Sequence, residues 1–210
     1  MTTELVSRAN GAATTDSLAA DLTRPQLAAA TQAAAAFLSA LGVQLDAAHL
    51  VDTPRRMAAA YAEMLDAPEF VPTAFDAGGY DGLVVVRAIG FHSLCAHHAL
   101  PFLGYADVGY QPAGQIIGLS KLAWVVQRYA RRLQVQEQLT TQVADWLMDQ
   151  LRPAGVAVRV RATHLCMSAR GVRASSAVTL THAIRGSLAD DAEICQQWMT
   201  LLGTEPSLGC

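Results

Sequence analysis

Apolar positions recur along this chain with two periods, and the changes between them mark out its elements. From Pro25 to Leu41 an alanine-rich run carries apolar residues at helical spacing, with Thr23 placed to cap its start and Gly42 to end it. A second helix is predicted from Asp52 or Thr53, with Pro54 in its first turn, through Met57, Tyr61 and Leu65. Residues 67–82, with two prolines and three glycines, read as a loop. Strand-like stretches follow from Leu83 to Ile89 and from Gly104 to Tyr110, and Pro112-Ala113-Gly114 marks a turn. Helical spacing returns from Ser120 to Leu151, with a weak point near Arg132, where Gln134-Val135-Gln136-Glu137 begins. Between Gly155 and Thr163, Val156, Val158 and Val160 alternate with Arg159 and Arg161, the pattern of a half-buried strand, and Val172 to Ile184 supplies a partner. Beyond Gly186 lies a tail with an amphipathic piece around Ile194 to Leu202. Strand, strand, paired helices, strand, strand is an α+β plan on an antiparallel sheet.

The 210 residues can bury one sizeable core. They divide into a flexible N-terminus at 1–22, a helical region and loop at 23–82, a sheet domain at 83–186 and a tail at 187–210. A net charge of -3 offers no basic surface for nucleic acid. Although 52% of residues are apolar, many are alanine and no eighteen run without a polar break, so no membrane partner is expected. The stretch from Met1 to Leu22 has neither a basic segment nor a long apolar one, and the expected location is cytoplasmic. Cys195 and Cys210 have no evident framework spacing.

The other two cysteines change the picture. Cys95-Ala96-His97-His98 and His164-Leu165-Cys166 are compact clusters about seventy residues apart, offering two thiols and three imidazoles. Zinc takes such ligands tetrahedrally, and the surplus exceeds what one closed structural site requires. A catalytic zinc uses three protein ligands, leaves the fourth position to water, and works beside an unbound acid or base. If His164 and Cys166 share a strand, their spacing of two turns both to one face.

Further runs accompany the clusters. They are Cys95-Ala96-His97-His98-Ala99-Leu100-Pro101-Phe102, Ile117-Gly118-Leu119-Ser120-Lys121-Leu122-Ala123, Arg132 to Thr140, His164-Leu165-Cys166-Met167 with Arg170-Gly171-Val172, and Thr53-Pro54-Arg55-Arg56. In order and spacing, over roughly residues 50 to 186, they resemble the GTP cyclohydrolase I family. The resemblance implies the tunnelling fold (T-fold), an antiparallel sheet backed by two helices, here preceded by N-terminal helices. It also implies a homo-oligomeric ring, commonly of ten subunits, with active sites at subunit boundaries. The implied reaction opens the imidazole ring of GTP, releases C8 as formate and rearranges the ribose to give 7,8-dihydroneopterin triphosphate. By analogy Cys95, His98 and Cys166 hold Zn2+, which activates water for attack on C8. His97 and His164 are left as acid/base candidates. Gln136 and Glu137 are the candidates for guanine, because a carboxylate accepts from N1 and the exocyclic amine together and adenine lacks that donor pair. Ser120 and Lys121 enter a helix whose free N–H groups favour an anion, and Lys121 is the only lysine beside fourteen arginines. Arg170 and Arg56 match triphosphate positions, the latter supplied by a neighbouring subunit.

Three positions depart from the family pattern. Ala96 stands for a glutamate, Trp124 for an arginine and Ala59 for a lysine. A charge-assisted contact to phosphate is worth roughly 1.5–3 kcal/mol, so two such losses weaken triphosphate binding by roughly two to four decades unless a group such as Arg128 compensates. Alternatives therefore stand beside GTP turnover. One is a diverged paralogue that takes a less phosphorylated guanine nucleotide or stops at a ring-opened pyrimidine. Another is a catalytically silent zinc-binding homologue with a structural or regulatory role.

Overall fold

The structure is a computed structural model, and it describes residues 3–4 and 26–203. The described residues fall into two compact units, one of residues 26–66 and one of residues 67–203 with residues 3–4. The first unit holds α1 (Leu27–Ala40) and α2 (Thr53–Met64). Gln26 occupies the N-cap position of α1 and makes no side-chain cap bond, while the expected cap Thr23 lies outside the described residues. Gly42 ends the helix at φ 85°, a conformation that glycine adopts without a Cβ penalty. Pro54 opens α2 in its first turn, where a missing N–H costs nothing.

In the second unit, β1 (Thr3–Glu4), β2 (Thr73–Asp76) and β5 (Gln115–Ile117) form a small antiparallel sheet. The stretch 67–82 was expected to be all loop, yet it contains β2, whose partner Gln115–Ile117 lies beyond the Pro112–Gly114 turn. The main sheet comprises β3 (Val84–Cys95), β4 (Pro101–Gln111), β6 (Leu133–Gln134), β7 (Gly155–His164) and β8 (Thr179–Gly186), in the order β6-β3-β4-β7-β8. All neighbours are antiparallel except β3 and β6. Both long strands on the N-terminal side outrun their predicted bounds. In β3 a register shift between Val86 and Ile89 interrupts the alternation, with Ala88 at φ 54° and its N–H donating to Asp107 Oδ1. The strand resumes beyond the bulge and delivers Cys95 at its end.

The predicted helical stretch 120–151 is two helices, α3 (Leu119–Ala130) and α4 (Gln136–Gln150), separated by β6. Leu122, Val125, Val126 and Ala130 of α3 and Leu139, Val143, Ala144 and Leu147 of α4 are buried against the sheet with Phe102, Val156, Val158 and Val160. The partner strand expected from Val172 begins only at Thr179, because the chain turns through Gly171 (φ 60°) and Arg173 (φ 53°) first. Past β8 come α6 (Ser187–Asp190) and α7 (Ala192–Leu202), the latter capped by Asp191, whose side chain accepts from the N–H of Glu193 and Ile194. Trp198, Leu188 and Leu202 pack with Ala157 in a second core cluster, whose side of β7 alternates with that of Val156 and Val158. Gly109 makes room for the indole: a Cβ there would meet Trp198 Cζ3 at 2.5 Å. No helix among the described residues is long and apolar enough to cross a membrane.

Candidate active site

The end of β3 and the start of β4 are joined by Ala96–Leu100, and this short connection presents the first cluster. Cys95 N–H donates to Leu100 O and Ala96 N–H to Gln134 O, which ties the connection to β6. His98 N–H and Ala99 N–H both return to Cys95 O, and Ala99 adopts φ 52° to reverse the chain. Cys95 is buried, while His97 and His98 are exposed on the turn.

The second cluster arrives from β7. His164 is the last residue of that strand, but Cys166 lies on α5 (Leu165–Ser168), a single helical turn. The expectation that both side chains share a strand face is therefore corrected: the strand stops at His164, and Ser168 Oγ donates back to His164 O across the turn. Register sets Phe102 of β4 opposite His164, with the rings stacked at 4.5 Å and 5° between planes. Phe102 lay within a quoted motif, but nothing in the sequence marked it as a support for an imidazole.

Tertiary contact brings Cys95, His98 and Cys166 together with their ligand atoms all within 4.8 Å. Cys95 Sγ lies 3.8 Å from His98 Nδ1 and 4.0 Å from His97 Nδ1. In a tetrahedral site with Zn–S near 2.3 Å and Zn–N near 2.0 Å, sulfur and nitrogen stand about 3.5 Å apart, so the donor set fits such an ion after small adjustments. The Cys166 thiol is held above its usual range by burial and then by the neighbouring Cys95, which a cation between the sulfurs would reverse. Arg170 Nη1 donates to His98 Nε2 at 3.2 Å and to Cys166 O at 3.3 Å. Nε2 can accept only while Nδ1 carries the proton. A metal ion on Nδ1 would leave Nε2 protonated and release Arg170.

Cys95 and Cys166 border a cavity of about 220 Å³ that is also lined by His97, Gln134, Gln136, Glu137, His164, Met167 and Thr179. Burial lowers the pKa of His164, and the Glu137 carboxylate opposes that by attraction. Glu137 is exposed in the first turn of α4, where the helix dipole favours a carboxylate. Gln136 is buried, and its amide is engaged with Val160 O, Thr179 O, Thr181 Oγ1 and His164 Nε2. Ser120 and Lys121 sit in the first turn of α3 as expected, yet neither lines this cavity, and Lys121 Nζ lies 6.0 Å from the Phe70 ring centroid. Arg56 belongs to the unit of residues 26–66, where it shares Asp52 with Arg55. Trp124 is 44% exposed on α3, one turn from Lys121 and from Arg128.

Three converging donors that could hold a metal ion, with spare imidazoles and a carboxylate at an adjoining open cavity, are the arrangement of an α+β protein suited to meeting a ligand at that group rather than only bracing the fold. The model of GTP cyclohydrolase I matches residues 30–203. The chain belongs to the GTP cyclohydrolase I family. It is 40% identical over 196 residues to GTP cyclohydrolase 1 of Allorhizobium ampelinum, covering 90% of this chain and 98% of that one. It is 52% identical to GTP cyclohydrolase 1 of Streptomyces avermitilis over 74% of this chain and 80% of that one, and 47% identical to that of Thermobifida fusca over 79% and 83%.

Proposed function

We propose that this chain is a zinc-dependent GTP cyclohydrolase I that opens the guanine imidazole ring of GTP, releases C8 as formate and forms 7,8-dihydroneopterin triphosphate. The observation that carries this reading is the convergence of Cys95, His98 and Cys166, two of which line one cavity with His97, His164 and Glu137. Cys95, His98 and Cys166 would hold the zinc ion, which when bound would supply a Lewis acid able to make water nucleophilic near neutral pH. Glu137 accepts from N1–H and the 2-amino group and so selects guanine. His97 and His164 move the protons: one to the purine nitrogen whose bond to C8 breaks, one from the attacking water. A second water releases the formyl group as formate, and closure of the pterin ring returns one water, so one water is consumed overall. Arg170, Ser120 and Lys121 hold the phosphates, with Arg56 supplied by a neighbouring subunit.

Ser120 and Lys121 do not line the cavity of their own chain, which supports sites completed across subunit boundaries. The reading also includes a homo-oligomeric ring of ten subunits with the tunnelling fold, formed by residues 83–186 and preceded by an N-terminal helical region and loop. The antiparallel β3-β4-β7-β8 run backed by α3 and α4 supports that fold. Its free thiols suit the reducing cytoplasm.

Trp124 favours a second reading, because an exposed indole occupies the α3 face where the pattern supplies a phosphate-binding arginine. On that reading the substrate carries fewer phosphates. The test is incubation of the zinc-loaded protein with GTP, GDP, GMP and guanosine, with mass spectrometry of formate and of the remaining heterocycle. Dihydroneopterin triphosphate from GTP is the expected product. Preference for a shorter nucleotide, or arrest at an opened pyrimidine, establishes the second reading, and zinc binding without any product refutes both.

A further inference from the structure

The side-chain amide of Gln136, 2% exposed, has only one orientation open to it. Its Nε2 lies 3.3 Å from Val160 O, 3.1 Å from Thr179 O and 3.1 Å from Thr181 Oγ1. Two of these are backbone carbonyls, which only accept, so a flipped amide would set oxygen against oxygen. The hydroxyls agree with this assignment. Thr140 Oγ1 donates to Gln136 O at 2.8 Å, so the proton in its 2.6 Å contact with Thr181 comes from Thr181. That leaves Thr181 Oγ1 free to accept from Gln136 Nε2.

With the nitrogen end committed, Gln136 Oε1 faces His164 and lies 2.8 Å from its Nε2. An amide oxygen cannot donate, so Nε2 carries the proton and the neutral ring keeps its lone pair on Nδ1. The stacked, fully buried Phe102 holds the ring in the plane that reaches Gln136.

We propose that Gln136 is a positioning residue that sets the tautomer of His164, holding the proton on Nε2 and making Nδ1 the atom that exchanges protons in the reaction. The Nε2–H stays hydrogen-bonded to Gln136 Oε1 throughout, and Nδ1, whose lone pair is free, is the ring atom left to exchange a proton. The substrate-binding role expected of Gln136 becomes an action through His164, and guanine selection rests with Glu137. The inference builds on His164 as an acid/base group of the proposed reaction.

The experiment is magic-angle-spinning 15N spectroscopy of sedimented, zinc-loaded enzyme labelled at histidine, with His164 assigned by its absence from His164→Gln. The expected result is a protonated Nε2 and an unprotonated Nδ1 at alkaline pH. In Gln136→Met the tautomers mix, and kcat for formate release falls about 10²-fold, within the range that proton transfer contributes, while KM moves less than about threefold. Thr181→Val, which removes one acceptor from the Gln136 amide, gives a smaller shift in the same direction and serves if Gln136→Met does not fold. A proton on Nδ1 in the unaltered enzyme overturns the proposal, as does a Gln136→Met variant with unchanged tautomer and kcat. If the tautomer depends on Gln136 while no guanine nucleotide yields formate, the positioning stands and the catalytic reading fails.

Discussion

Replacing Glu137 by glutamine tests guanine selection in isolation. The side chain is exposed in the first turn of α4 and lines the cavity beside His164. As a carboxylate it offers two acceptors to the N1–H and 2-amino donors of guanine. The amide keeps one acceptor and turns an NH2 toward the other donor. One charge-assisted bond of about 1.5–3 kcal/mol is lost and the second falls to the neutral range of about 0.5–1.5 kcal/mol. A combined loss of about 2–4 kcal/mol corresponds to about 30- to 700-fold in kcat/KM for GTP. Stability should change by less than about 1 kcal/mol, the worth of an exposed acid at a helix N-terminus. The assay is steady-state formate release with GTP and with inosine triphosphate, which lacks the 2-amino group, alongside zinc content and Tm. Glu137→Gln should narrow the preference for GTP over inosine triphosphate by at least about tenfold, because half of the recognised donor pair no longer has its acceptor. An unchanged ratio, or GTP turnover within about threefold of the parent, would refute the assignment of Glu137 to the guanine edge.

Two further outcomes follow from the metal donors and the second core. Cys166→Ser should abolish stoichiometric zinc by elemental analysis and formate release with it. In the parent protein, zinc retention should fall as pH falls, because the Cys166 thiol, raised by burial and by Cys95, binds a proton in competition with the metal. Retention that is flat with pH, or a Cys166→Ser protein that keeps its zinc, would exclude Cys166 as a ligand. Trp198→Ala should cost about 3–5 kcal/mol in urea unfolding, since the indole is 3% exposed against Gly109, Leu188 and Leu202. Zinc content should be unaffected, because Trp198 packs in a different core cluster from Cys95; loss of zinc in the folded variant would contradict that separation.

Much of the site was legible in the chain because its chemistry is concentrated in short runs. Cys95-Ala96-His97-His98 and His164-Leu165-Cys166 pair two thiols with imidazoles, and the structure brings Cys95, His98 and Cys166 within 4.8 Å of one another. Pro54, Gly42 and the valine alternation in β7 announced their elements, since each depends on a local conformational preference. The run of β3 to Cys95 was not legible, because a bulge at Ala88 breaks the period on which strand reading depends. The same locality hid β2, whose partners β1 and β5 lie about seventy residues before it and about forty residues on.

By itself, the sequence decided which atoms are available: two thiols, three imidazoles, a carboxylate and an amide, carried on an α+β plan. Tertiary structure decided what each atom faces. Cys166 reaches the metal group from a helical turn rather than from the strand of His164, and Ser120 and Lys121 stay outside the cavity. Gln136 finds its partners 24 to 45 residues away, on β7 and β8. Periodicity reports which side of its own element a residue occupies, whereas the direction of a hydrogen bond depends on the register of strands distant in the chain.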